Sequence, residues 1–126
     1  MAVTAKWDND EKRVIYVTYV GHWTIEDAYN SRDQVRALLK EVNYNVDSIH
    51  DMRKGGFLPP SVLTHAREIM SEPEPQMRLM VVVGANAFVQ TMYNVFNKVY
   101  PRIAEKSNLR IVASVEGAHE LIQKQQ

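Results

Sequence analysis

The chain has 126 residues, 45% of them apolar, with 15 basic side chains balancing 15 acidic ones and no cysteine. That length suits one hydrophobic core and is short for two, and the apolar share is too high for a disordered chain. The even charge balance gives no steering toward nucleic acid or an anionic membrane, and the absence of cysteine excludes disulfides, thiolate nucleophiles and cysteine metal sites together.

From the start of the chain, Met1 to Asp8 lack the apolar core of a signal peptide. No apolar run approaches the ~20 residues of a bilayer-spanning helix. A cytoplasmic protein without membrane insertion is therefore expected. Val3, Ala5 and Trp7 alternate with Thr4, Lys6 and Asp8, the period of a half-buried edge strand. Asp8-Asn9-Asp10-Glu11 is turn chemistry, because Asn and Asp side chains cap backbone groups. Val14 to Val20 then carries β-branched and aromatic residues on both faces, as a strand inside a sheet does. The first two strands read as a hairpin.

Thr24 is a good N-cap, and Glu26 and Asp27 put negative charge on the positive end of a helix. Ile25, Ala28, Val35, Leu38, Leu39 and Val42 keep an apolar stripe to about residue 42. Val46 to Met52 reads as a third strand, and Arg53-Lys54-Gly55-Gly56 as a turn. Pro59-Pro60 prepares a second helix bearing Val62, Leu63, Ala66, Ile69 and Met70, which stops within Ser71 to Pro75. Arg78 to Val83 is a short apolar run that predicts a fully buried strand, closed by Gly84.

A third helix is expected from about Asn86, with Phe88, Met92, Val95, Phe96, Val99 and Ile103 on one side. Pro101 predicts a kink or an end near Val99 or Tyr100. Leu109 to Ser114 and Glu116 to Gln123 complete the series as strand and helix. Strands alternating with helices after an initial hairpin specify a single α/β domain over residues 1–126 with a mixed, mostly parallel sheet.

This element order, together with Val17-Thr18-Tyr19-Val20-Gly21-His22-Trp23-Thr24-Ile25-Glu26-Asp27, resembles the STAS domain (the fold of sulphate transporters and anti-sigma-factor antagonists). The chain looks closest to small stand-alone bacterial relatives whose role is unassigned. The strand ending in Asp51 and the apolar strand into Gly84 add to the likeness. Antagonists of that family carry a regulatory phosphoserine in an Asp-Ser-x-Gly-like turn. The corresponding stretch, Asp51 to Ser61, has no Asp-Ser pair, and its one serine is Ser61, just inside the expected second helix. The resemblance implies a regulatory or protein-binding module, not an enzyme.

In an open parallel sheet, ligands bind beyond the carboxyl ends of the strands. Those ends here are Gly21-His22-Trp23, Asp51 to Gly56, Gly84-Ala85-Asn86 and Ser114 to Gly117. Asp51 is either a functional carboxylate or a cap for the following turn. Arg53 and Lys54 beside two glycines form either an anion nest or a solvated turn. Trp23 is either an interface anchor or a roof over the core beneath the first helix. Asn86 stands on this rim and most simply caps the third helix, whereas Ser61 is either a phosphate-bearing serine near a helix N-terminus or a plain helix-start residue.

Tyr93 and Tyr100 fall outside the main stripe of the third helix and are candidates for a self-association patch. The histidines, His22, His50, His65 and His119, show no metal-ligand spacing, and no cofactor fingerprint is present. Ser61, His65 and Asp51 do not make a nucleophilic triad, since a serine beyond two prolines in a helix has no strained elbow. Two readings follow: a protein-contacting module, as a homodimer through the third helix or the Val3–Trp7 edge or with another protein, and a carrier of a small molecule or lipid in the strand-end crevice or under the third helix.

Overall fold

The alternation at the start of the chain becomes β1 (Val3–Trp7), whose partner is the apolar β2 (Val14–Val20). Asn9 turns the chain between them: its side-chain oxygen accepts from the Glu11 N–H at 3.0 Å, and Lys12 takes a left-handed backbone. The computed structural model describes residues 2–55, 65, 68, 74–84, 87–102 and 108–125. Within these, β2 is followed by α1 (Ile25–Leu39), β3 (Val46–Lys54), β4 (Met77–Val83), α2 (Ala87–Val99), β5 (Leu109–Val112) and α3 (Val115–Gln125). The strands form one five-stranded sheet in the order β1-β2-β3-β4-β5. β1 runs antiparallel to β2, and all other neighbours are parallel. The expected α/β class and mostly parallel sheet are what the chain adopts.

α1 starts where its capping residues dictate. The Thr24 hydroxyl accepts from the Asp27 N–H at 3.1 Å, and the Asp27 carboxylate accepts from the Thr24 N–H at 2.9 Å. This reciprocal pair satisfies two backbone donors that the first turn leaves without partners. The helix stops at Leu39, short of Val42, with Lys40 as its C-cap. Beyond it, the Gln76 amide spans the carbonyls of Leu39, Val42 and Tyr44 at 3.1–3.3 Å.

Side-chain parity along the strands splits the core into two layers. Ile15, Val17, Val46, Met52 and Val82 pack with Trp23 and with Ala28, Val35, Leu38 and Leu39 of α1. Val14, Ile49, Leu79, Val81 and Val83 pack on the other face with Ala118 and Ile122 of α3. Helices therefore cover both faces, as parallel strands without a solvated side require.

Several boundaries differ from the sequence reading. Arg53 and Lys54 belong to β3 and do not turn the chain. The strand runs on because β2 bulges and then pairs Val20 with Lys54. β5 ends at Val112, because the Ser114 hydroxyl caps α3, accepting from the Gly117 N–H at 3.0 Å. α2 ends at Val99, and helical backbone resumes at Pro101, where a proline suits a first turn. Of the expected second helix, His65 and Glu68 are helical and the rest, Val62 to Met70, lies outside the described residues. Ile103 and the side chains of Phe88 and Met92 also lie outside them.

Candidate functional site

Four parallel neighbours in sequential order bring the carboxyl ends of β2, β3, β4 and β5 to one rim. The ends touch. The Gly21 N–H donates to the Lys54 carbonyl at 2.8 Å. Gly84, at φ +78°, passes so close to β3 that a β-carbon there would stand 2.5 Å from Arg53 Cγ and 3.0 Å from its backbone N. Only glycine fits both that conformation and that gap.

Asp51 sits at the centre of this rim on the α3 side, 7% exposed. Its Oδ1 accepts from the Arg53 N–H at 3.1 Å and from Arg53 Nε at 2.9 Å. Its Oδ2 accepts from Arg53 Nη2 at 2.7 Å and from the Tyr16 hydroxyl at 2.5 Å. The Arg53 guanidinium holds the Asp51 carboxyl well below the usual carboxylate range; burial opposes this, and the Tyr16 hydroxyl adds to it. Burial, with its bond to the Asp51 anion, pushes the Tyr16 phenol up to about 12. Neither group is poised to exchange a proton near neutrality. What the cluster offers instead is a positioned cation. The Arg53 side chain is 56% exposed, with its Nε–Nη2 edge clamped by Asp51. The Tyr16 hydroxyl lies beside the same guanidinium, and among the described residues Nη1 shows no hydrogen bond of its own.

A second polar cluster lies on the opposite face of β3. The Tyr19 hydroxyl is 2.8 Å from His50 Nδ1, His50 Nε2 is 3.1 Å from the Ser48 hydroxyl, and that hydroxyl is 3.5 Å from the Leu79 carbonyl. A carbonyl can only accept, so Ser48 donates to Leu79 and accepts from His50 Nε2–H. His50 Nδ1 then accepts from Tyr19. This assignment, inferred from the network, uses every polar hydrogen once. Burial lowers the His50 imidazole to about 4, so the ring is neutral at physiological pH.

The other sequence-derived candidates are dispersed. Trp23 is 7% exposed and meets Tyr19 edge-on, with ring centroids 5.1 Å apart. It packs in the core layer that α1 covers. Its indole N–H is buried with no acceptor among the described residues. Lys54 is exposed at the end of β3. Ser61 and Asn86 lie outside the described residues. Tyr93 is half-buried, its hydroxyl donating to the Leu109 carbonyl at 3.2 Å, and Tyr100 is half-buried against Phe96 with ring centroids 5.3 Å apart. The structure thus brings Asp51 and Arg53 together and leaves Tyr93 and Tyr100 well apart from them in the chain order, on and just after α2. Among the described residues, no three or more His, Asp or Glu side chains gather as metal ligands would. Nor is any described helix long and apolar enough to cross a membrane.

Tyr16 and the Tyr19–His50–Ser48 chain were not singled out from sequence. Parity alone puts Ser48 and His50 on one face, but pairing Tyr16 with Asp51 needs the register of two strands joined through a helix. Compared with known proteins, the chain matches no family model and no curated protein sequence.

Proposed function

We propose that this chain is a STAS-like, non-catalytic regulatory module that binds a partner protein at the strand-end rim, with Arg53 as the central contact. The observation that carries the reading is the clamped and exposed Arg53 guanidinium. An arginine already oriented by a buried carboxylate loses little conformational freedom when a partner's carboxylate meets its outer end. The neighbouring Lys54 adds positive charge, so an acidic segment is the complementary partner surface. The single antiparallel strand at the edge of an otherwise parallel sheet supports the STAS-like part of the reading.

The test is cross-linking and recovery from an extract of the source cells with wild type and Arg53→Gln side by side. A partner captured by wild type and lost with the folded variant supports the reading. Equal capture by both, or a partner cross-linked only through residues remote from the rim, overturns it.

A carrier of a small molecule is favoured by one separate observation, the buried Trp23 N–H beside Tyr19, which has no acceptor among the described residues. A ligand oxygen would satisfy that donor. Native mass spectrometry of freshly purified protein decides this reading: a retained ligand supports it, and a bare polypeptide mass counts against it.

A further inference from the structure

The backbone groups along a sheet's outer margin are those most ready to pair with another chain. Here both margins carry side-chain blocks. Val3 lies opposite Tyr19 and Trp7 opposite Ile15 in the β1–β2 ladder. The Val20 N–H donates to the Ala2 carbonyl and the Asp8 N–H to the Val14 carbonyl, both at 2.8 Å. These bonds set the alternation. The even-numbered residues of β1 face β2, and the N–H and C=O groups of Val3, Ala5 and Trp7 face outward.

The middle donor of those three is taken. The Ala5 N–H donates to Gln34 Oε1, reaching over from α1, at 2.8 Å. On the far margin, the Met80 N–H donates to the Asn108 carbonyl at 3.3 Å, which turns Leu109 outward from β4. Its carbonyl accepts from the Tyr93 hydroxyl at 3.2 Å and from Arg110 Nη1 at 3.0 Å.

We propose that the outer edge of β1 is a latent self-association surface for a second copy of this chain, held shut by Gln34. The occupant follows from the strand's own symmetry. In an antiparallel pairing with a two-fold axis at Ala5, Ala5 faces itself, Val3 faces Trp7 and Thr4 faces Lys6. The apolar pairs then share one face, and each lysine meets a threonine instead of another lysine. β5 is the poorer template, at four residues against five, with an outward carbonyl held by two donors. At the centre of the β1 pairing, the obstacle is the Gln34 amide. This surface is distinct from the Arg53 rim, so the two proposals stand or fall separately.

The experiment combines analytical ultracentrifugation with amide hydrogen exchange on the full chain. Gln34→Ala in dilute solution is expected to exchange the Ala5 amide roughly fivefold faster than wild type, as loss of one modest hydrogen bond implies. At higher concentration the variant is expected to self-associate. Adding Ala5→Pro, which removes the central donor from an edge strand that tolerates proline, is expected to abolish that association. Gln34→Met keeps the side-chain length without the acceptor and serves if the alanine variant unfolds; Gln34→Glu keeps the acceptor and is expected to behave as wild type. A folded Gln34→Ala or Gln34→Met that associates no more than wild type overturns the proposal. So does association that survives Ala5→Pro, or a wild type that already pairs through β1.

Discussion

Asp51 and Arg53, two residues apart on the same face of β3, meet in a bidentate ion pair with nitrogen–oxygen distances of 2.9 and 2.7 Å. The acid is buried and the base is largely exposed, so the pair fixes the arginine more than it hides it. Removing the base with Arg53→Gln is expected to move the Asp51 carboxyl up toward the ordinary carboxylate range, read by carbon NMR titration. Because the folded carboxyl lies below that range, its stabilising effect is present at neutral pH and lost as pH falls through and below it. Tyr16→Phe removes one bond to the same anion and should cost about 1–2 kcal/mol in urea unfolding.

His50 gives a second and separate pH dependence. Its folded value is about 4 against an ordinary 6.5. The unfolded chain therefore takes up the proton first as pH falls. The stability that the neutral ring confers is complete above 6.5 and disappears on the way down to 4. The full loss is about 3 kcal/mol. Urea unfolding midpoints measured from about pH 7 to about pH 4 should fall more steeply in wild type than in His50→Gln. Parallel slopes would remove His50 from this account.

At the other end of β3, Asp47 is 2% exposed and accepts from Arg78 Nε at 2.9 Å, Arg78 Nη2 at 2.7 Å and the Leu79 N–H at 3.1 Å. Arg78 Nη1 goes on to the Gln125 carbonyl at 2.7 Å, tying the end of α3 to β4. Asp47→Ala strips the buried Leu79 donor and the arginine of their acceptor. The expected loss is about 2–3 kcal/mol, discounted because Arg78 keeps access to water. Chemical denaturation measures it, and Asp47→Asn, which retains an acceptor, should lose less.

Gly84→Ala places a methyl group against Arg53 Cγ and backbone at a positive φ. Strain and clash together should cost about 2 kcal/mol or more, since the neighbouring atoms are partly backbone. A thermal melt checks the loss. The same substitution at Gly21, whose φ is +66° with no atom of the described residues within 4 Å of a β-carbon, should cost less.

Legibility followed the range over which each feature is encoded. The Thr24–Asp27 capping box lies within three residues and could be read directly, as could the apolar β4 run. The Asp51–Arg53 pair is equally local, yet Gly55-Gly56 drew Arg53 into an expected turn and hid its strand parity. Tyr16 meets Asp51 only once β2 and β3 are in register, with Thr18 beside Asp51, and no local pattern carries that alignment across a helix. Trp23 was open between core and surface because a residue just before an N-cap can fold either way. The packing of α1 decides it.

Among the described residues, several long-range polar ties lie at the end of the sheet opposite the rim. Gln76 across the end of α1, Arg36 on Glu74, and Arg78 between Asp47 and Gln125 all fasten the end where the parallel strands begin. Substitutions at the base therefore act on the anchorage of α1 and α3 to the sheet, since Gln76 and Arg78 each bridge a helix end to a strand start.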